Sequence, residues 1–125
     1  MVSGKRILLV DDSALIRASA AQALGTAGYD VTVRAAFDEL IEHGFEGFDL
    51  ILMDVQMPEL YGDDVAFTLR GQRGVTTPIY LFSSVDEAEL AGLARDAGID
   101  GYIPKAIGLD ELVARVNAIF AKRAG

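Results

Sequence analysis

Along this chain, short runs of consecutive apolar residues alternate with longer stretches in which apolar positions recur at helical spacing. Ile7-Leu8-Leu9-Val10 is apolar at every position, the pattern of a strand buried on both faces of a parallel sheet. The run stops at Asp11-Asp12. From Ser13 the period changes, and Ile16, Ala20, Ala23, Leu24 and Ala27 form one stripe of a helix. Ser13 or Asp12 can cap its start, and Gly28 stands where it should stop. Residues 29–33 predict a second strand, made more edge-like by Asp30, Thr32 and Arg34. Residues 37–45 predict a short helix with Leu40 and Ile41 inward, and residues 48–53 a third strand, again ended by an acid, Asp54.

The alternation continues to the end. Turn residues 57–62 lead into a helix over about 63–72 that would bury Val65, Ala66 and Leu69. Residues 78–82 predict a fourth strand ending at Ser83-Ser84, 86–97 a helix, and 101–103 a short fifth strand. A last helix spans 109–120, with Leu112, Val113, Val116, Ile119 and Phe120 as its apolar face and residues 121–125 loose beyond it. Five such alternations predict an α/β fold, a parallel sheet reached by right-handed crossovers and covered by helices on both sides.

Composition narrows the chemistry. The 125 residues suit one domain, large enough to bury a core without disulfides or zinc, and the absence of cysteine excludes both along with thiol and iron–sulfur chemistry. A net charge of −8 with no basic cluster argues against nucleic-acid and anionic-membrane partners. No apolar run approaches the roughly 18 residues that cross a bilayer, and the first residues do not form a signal peptide, so the expected compartment is the cytoplasm.

The polar residues at the strand ends carry the candidate chemistry. In open α/β sheets, ligands bind outside the carboxyl ends of the strands. Asp11-Asp12 ends strand one, Asp54 ends strand three, Ser83-Ser84 ends strand four, and strand five runs into Lys105. If strands one and three are neighbours, three carboxylates converge, and a hard divalent cation such as Mg²⁺ is the simplest way to offset their repulsion. A carboxylate beside Mg²⁺ can act as a nucleophile towards phosphorus. Phosphoryl transfer then needs positioning and charge cancellation, for which a lysine ammonium and a serine hydroxyl are suited.

Four motifs in register, Val10-Asp11-Asp12-Ser13, Met53-Asp54-Val55-Gln56-Met57-Pro58, Phe82-Ser83-Ser84 and Gly101-Tyr102-Ile103-Pro104-Lys105, resemble the receiver domain of two-component response regulators, of the chemotaxis single-domain kind. The resemblance covers about residues 5–121 of a single domain and implies a flavodoxin-like, doubly wound (βα)5 sheet of order 2-1-3-4-5. It implies that Asp54 accepts a phosphoryl group from a sensor histidine kinase or phosphotransfer protein. Asp12, Asp54 and the backbone carbonyl of Gln56 would bind Mg²⁺, with Asp11 acting through water, while Lys105 would pair with the phosphoryl oxygens. Ser83 would swing towards them, and Tyr102 would move inward with it. That motion would remodel the face of the fourth helix, fifth strand and fifth helix, where a downstream protein would dock. Ala106 follows Lys105 where the family usually has proline, so a cis peptide is not assumed there.

Other readings stand beside these. Asp11 and Asp12 could cap the first helix, and Tyr102 could be plain packing. A pseudo-receiver would bind partners without phosphorylation. A Mg²⁺-dependent aspartyl phosphatase is disfavoured, because such enzymes usually carry a second acid two residues after the nucleophile, where this chain has Gln56. The expected protein is therefore a switch rather than an enzyme, acting only on its own phosphorylation state.

Overall fold

Each apolar run finds its place in one sheet. A computed structural model of the chain describes residues 4–35, 46–55 and 76–124. Strands β1 (Arg6–Val10), β2 (Asp30–Arg34), β3 (Leu50–Met53), β4 (Ile79–Ser83) and β5 (Gly101–Pro104) all pair in parallel, in the order β2-β1-β3-β4-β5. This is the doubly wound order the resemblance implied. Helices α1 (Ala14–Thr26), α2 (Glu87–Ala97) and α3 (Leu109–Ala124) cover the sheet.

The sheet separates two apolar layers, because successive side chains of a strand point to opposite faces. Leu8 and Val10 of β1 join Ile51, Met53, Ile79 and Leu81 under α2, which contributes Leu90 and Ala94. Ile7 and Leu9 face the other way and pack with Leu50, Leu52 and Phe82 against α1 and α3, through Ala20, Leu24, Leu112, Val116 and Phe120. All four residues of β3 are fully buried, which explains their unbroken apolar sequence. Tyr29 ties α3 to the start of β2. Its hydroxyl donates to Asn117 Oδ1 at 2.5 Å, its ring lies 5.4 Å from that of Phe120, and burial raises its pKa above the ordinary tyrosine value.

Local chemistry sets the element ends. Ser13 Oγ accepts from Ile16 N at 3.3 Å to cap α1, and Asp86 accepts from Ala88 N at 3.2 Å to cap α2. Gly98, at φ 70°, closes α2 in the left-handed conformation that glycine adopts without strain. β3 begins at Leu50, not at 48. Phe48 instead lies under the Arg6 guanidinium, 4.6 Å from its ring centroid, and the Asp49 carboxylate takes Arg6 N at 2.8 Å. The expectation of a loose tail from residue 121 is wrong, because α3 runs on through Ala124. Alanine, lysine and arginine are good helix formers, and cations suit a helix C-terminus. Among the described residues every peptide bond is trans, including Lys105–Ala106. The helices expected at 37–45 and 63–72, and the turn at 57–62, lie outside the described residues.

Gly101 faces Tyr80 across the β4–β5 pair. A Cβ there would stand 2.8 Å from Tyr80 Cε2 and 3.2 Å from Cδ2. Gly101→Ala is therefore expected to cost about 1–3 kcal/mol, the usual range for overpacking, seen as a lower urea midpoint. An unchanged midpoint would show that the ring moves aside freely.

Candidate functional site

The carboxyl ends of β1, β3, β4 and β5 bring the candidate residues to one rim. The main chain holds the acids just past the strands: Asp11 N donates to Arg34 O at 3.0 Å, and Asp54 N donates to Val10 O at 2.9 Å. Both continue the parallel ladder by one residue, so neighbouring strands fix where each acid stands. Asp11 is fully buried, Asp54 nearly so at 3% exposure, and Asp12 is exposed at the mouth.

Each of the three acids offers a carboxylate oxygen within 4.8 Å of the others. Lys105 reaches in from the far side, where Pro104 ends β5 opposite Ser83 and a short 3₁₀ turn, Lys105–Ile107, begins. Its Nζ lies 2.6 Å from Asp11 Oδ2 and 3.5 Å from Asp54 Oδ2, with the side chain only 14% exposed. Asp11 Oδ1 accepts from Ser13 N at 2.9 Å, while the buried Oδ2 has its charge contact with Lys105 but no aligned hydrogen bond. Among the described residues, three clustered carboxyl groups share one ammonium that contacts them directly, an acidic excess that a divalent cation would offset. An all-oxygen donor set with a buried, weakly satisfied carboxylate oxygen fits Mg²⁺.

An open cleft of about 580 Å³ leads to the acids, with Asp12, Asp54, Ser84, Lys105 and Ala106 among its walls. Of the two adjacent serines, Ser84 lines this cleft. Ser83 is fully buried, and its Oγ accepts from Val85 N at 3.3 Å. Tyr102 is half-buried against the α2 layer and points its hydroxyl outward, donating to Glu87 Oε2 on α2 at 3.2 Å. That hydrogen bond is the main reason its pKa stands above the ordinary value, followed by partial burial and the negative charge of Glu87.

The structure thus brings Asp11, Asp12, Asp54 and Lys105 together and sets Ser83 and Tyr102 nearby on β4 and β5. Gln56 lies outside the described residues. Two contributors escaped the sequence reading. Ser84 could not be separated from Ser83 without knowing which face of the strand each occupies. Arg17, whose Nη1 donates to Asp11 O at 2.8 Å, was recognisable only as a cation at the start of a helix, where cations are disfavoured. Among the described residues no helix is long and apolar enough to cross a membrane.

Comparison with known proteins gives a consistent result. A family model described as the response regulator receiver domain matches residues 7–117. The response regulator MprA of Mycobacterium tuberculosis is 36% identical across 94% of this chain and 51% of its own length. The chain spans about half the length of the curated relatives it matches. Among solved structures, a CheY-like receiver domain protein from Methanospirillum hungatei JF-1 superposes with a TM-score of 0.82 at 27% identity, covering 98% of both chains. The BeF3-activated N-terminal receiver domain of Klebsiella pneumoniae RstA gives 0.79 at 30% identity, covering 91% of this chain and 97% of its own.

Proposed function

The chain belongs to the response regulator receiver family, and on that premise we propose that it is a phosphorylation-controlled signalling switch with Asp54 as the phosphoryl acceptor. The observation that carries this reading is the convergence of Asp11, Asp12 and Asp54 with Lys105 at the mouth of one cleft. An Asp54 oxygen attacks the phosphorus of a phosphohistidine on a sensor kinase or phosphotransfer protein. A P–O bond forms, the P–N bond breaks, and the leaving imidazole keeps the electron pair and takes up a proton. When bound, Mg²⁺ would offset carboxylate charge and the charge on the transferring oxygens. Asp12, Asp54 and the Gln56 carbonyl would hold it, with Asp11 acting through water.

The remaining roles belong to the chain's own side chains. Lys105, whose Nζ lies 3.5 Å from Asp54 Oδ2, would pair with an oxygen of a phosphoryl group carried there. Ser83 would exchange its acceptor role towards Val85 N for donation to that group, drawing in the β4–α2 loop. Glu87 begins α2 at the end of that loop, so the same motion would loosen its bond to Tyr102 and change the surface of α2, β5 and α3 that a downstream protein reads. A structural neighbour's description as BeF3-activated supports the reading, since BeF3⁻ is a stand-in for a phosphoryl group.

The direct test is incubation with Mg²⁺ and acetyl phosphate, followed by intact mass measurement. A gain of one phosphoryl mass, lost when EDTA is present, is the expected result. No mass gain from acetyl phosphate or from a phosphorylated kinase, with no heat of Mg²⁺ binding, would leave a receiver that binds partners without phosphorylation.

A further inference from the structure

Among the described residues, the side chains of Lys105 and Arg17 both contact the acidic turn, in different ways. Lys105 takes a carboxylate oxygen, Asp11 Oδ2, which is also an atom a metal's hydration shell would need. Arg17 takes the main-chain carbonyl of Asp11 at 2.8 Å and so leaves that oxygen untouched. Its position is costly by helix rules, being only four residues past the Ser13 cap, at the end of α1 where the dipole is positive. α1 carries no acid in its first turn to compensate. The bond to Asp11 O supplies the missing reason for a cation there.

From this geometry we propose that Arg17 is a positioning residue for divalent-cation binding, setting the orientation of the Asp11–Asp12 turn; the proposal rests on the metal reading above. Among the described contacts that hold the turn are Asp11 N to Arg34 O, Ser13 N to Asp11 Oδ1, Ile16 N to Ser13 Oγ, Arg17 N to Ser13 O and, last, Arg17 Nη1 to Asp11 O. Only the last joins a side chain of α1 to the main chain of the acid. It fixes the Asp11–Asp12 peptide, and with it the direction in which both carboxylates leave the backbone. A guanidinium is permanently charged and planar, so it lowers the repulsion among the three acids without competing for their oxygens. Outer partners that orient metal ligands typically change affinity by about 10–100-fold when removed.

The test is Mg²⁺ titration by calorimetry of the wild type, Arg17→Gln and Arg17→Lys, with urea unfolding of each in EDTA. Arg17→Gln is expected to bind Mg²⁺ about tenfold or more weakly at a temperature where both proteins are fully folded. Arg17→Lys, which keeps the charge and one donor, is expected to fall between them, and it serves as the readout should the glutamine variant not fold. A lower urea midpoint with Mg²⁺ affinity within twofold of wild type in the folded variants overturns the proposal, because it reduces Arg17 to a brace for α1. Absence of Mg²⁺ binding by the wild type is a different result, and it removes the metal reading itself along with this one.

Discussion

Asp54→Asn is expected to abolish phosphoryl uptake from acetyl phosphate in the presence of Mg²⁺, with no residual mass gain, while the protein stays folded. Asparagine keeps the shape of the side chain and the Asp54 N to Val10 O bond that places it. It replaces the nucleophilic carboxylate oxygen with an amide, which does not form a stable phosphoryl adduct. The change also removes one of three clustered negative charges beside Lys105, so the metal-free variant should unfold at the same or higher urea concentration than wild type. The two readouts together separate lost chemistry from lost fold. Continued phosphorylation of the variant would move the acceptor to another residue, with the neighbouring but fully buried Asp11 as the first to examine.

Lys105→Ala is expected to destabilise the metal-free protein by about 3 kcal/mol, the lower end of what breaking a buried ion pair from one side costs. The estimate follows from burial: Asp11 is fully buried, the Asp54 side chain is 4% exposed, and both lose their shared ammonium at once. Much of the loss should return on adding Mg²⁺, since a ligand at a hundred times its Kd stabilises by about 2.7 kcal/mol. Without the ammonium at 2.6 Å from Asp11 Oδ2, the cation also meets no competitor for that oxygen, so the variant should bind Mg²⁺ more tightly than wild type. Urea unfolding in EDTA and in millimolar Mg²⁺ checks both statements. Equal stability of variant and wild type in EDTA would mean that the pair is worth nothing where it stands.

The strand-and-helix alternation and the acid-bearing strand ends were legible in the sequence because each has a local cause. An unbroken run such as Leu50-Ile51-Leu52-Met53 has few destinations other than a doubly covered strand, and Ser13 before an apolar stripe announces a helix start. Asp11, Asp12, Asp54 and Lys105 were legible for a related reason, since parallel strands deliver their carboxyl ends to one rim whatever lies between them. What escaped depends on contacts between residues distant in sequence. The α3 C-terminus reads as a loose tail because the apolar stripe ends at Phe120, although Ala121 to Ala124 is made of good helix formers and carries no stop signal. That Ser83 is enclosed while Ser84 meets the cleft follows from the facing of β4, and two adjacent identical residues hold no clue to it. The outward hydroxyl of Tyr102 likewise depends on Glu87, fifteen residues away on another element.

The sheet's two faces have a consequence for where a signal can travel. Tyr102 packs in the layer beneath α2, with Val85, Leu90, Leu93 and Ile99, whereas its neighbour Ile103 belongs to the opposite layer with Phe82, Leu112 and Phe120. On the proposed mechanism, a rearrangement that enters through the β4–α2 loop and turns Tyr102 would repack the layer under α2, with the sheet standing between it and the opposite layer. On that mechanism the α1 side would keep its packing, so a partner reading the α2–β5–α3 surface would respond to phosphorylation while one reading α1 would not.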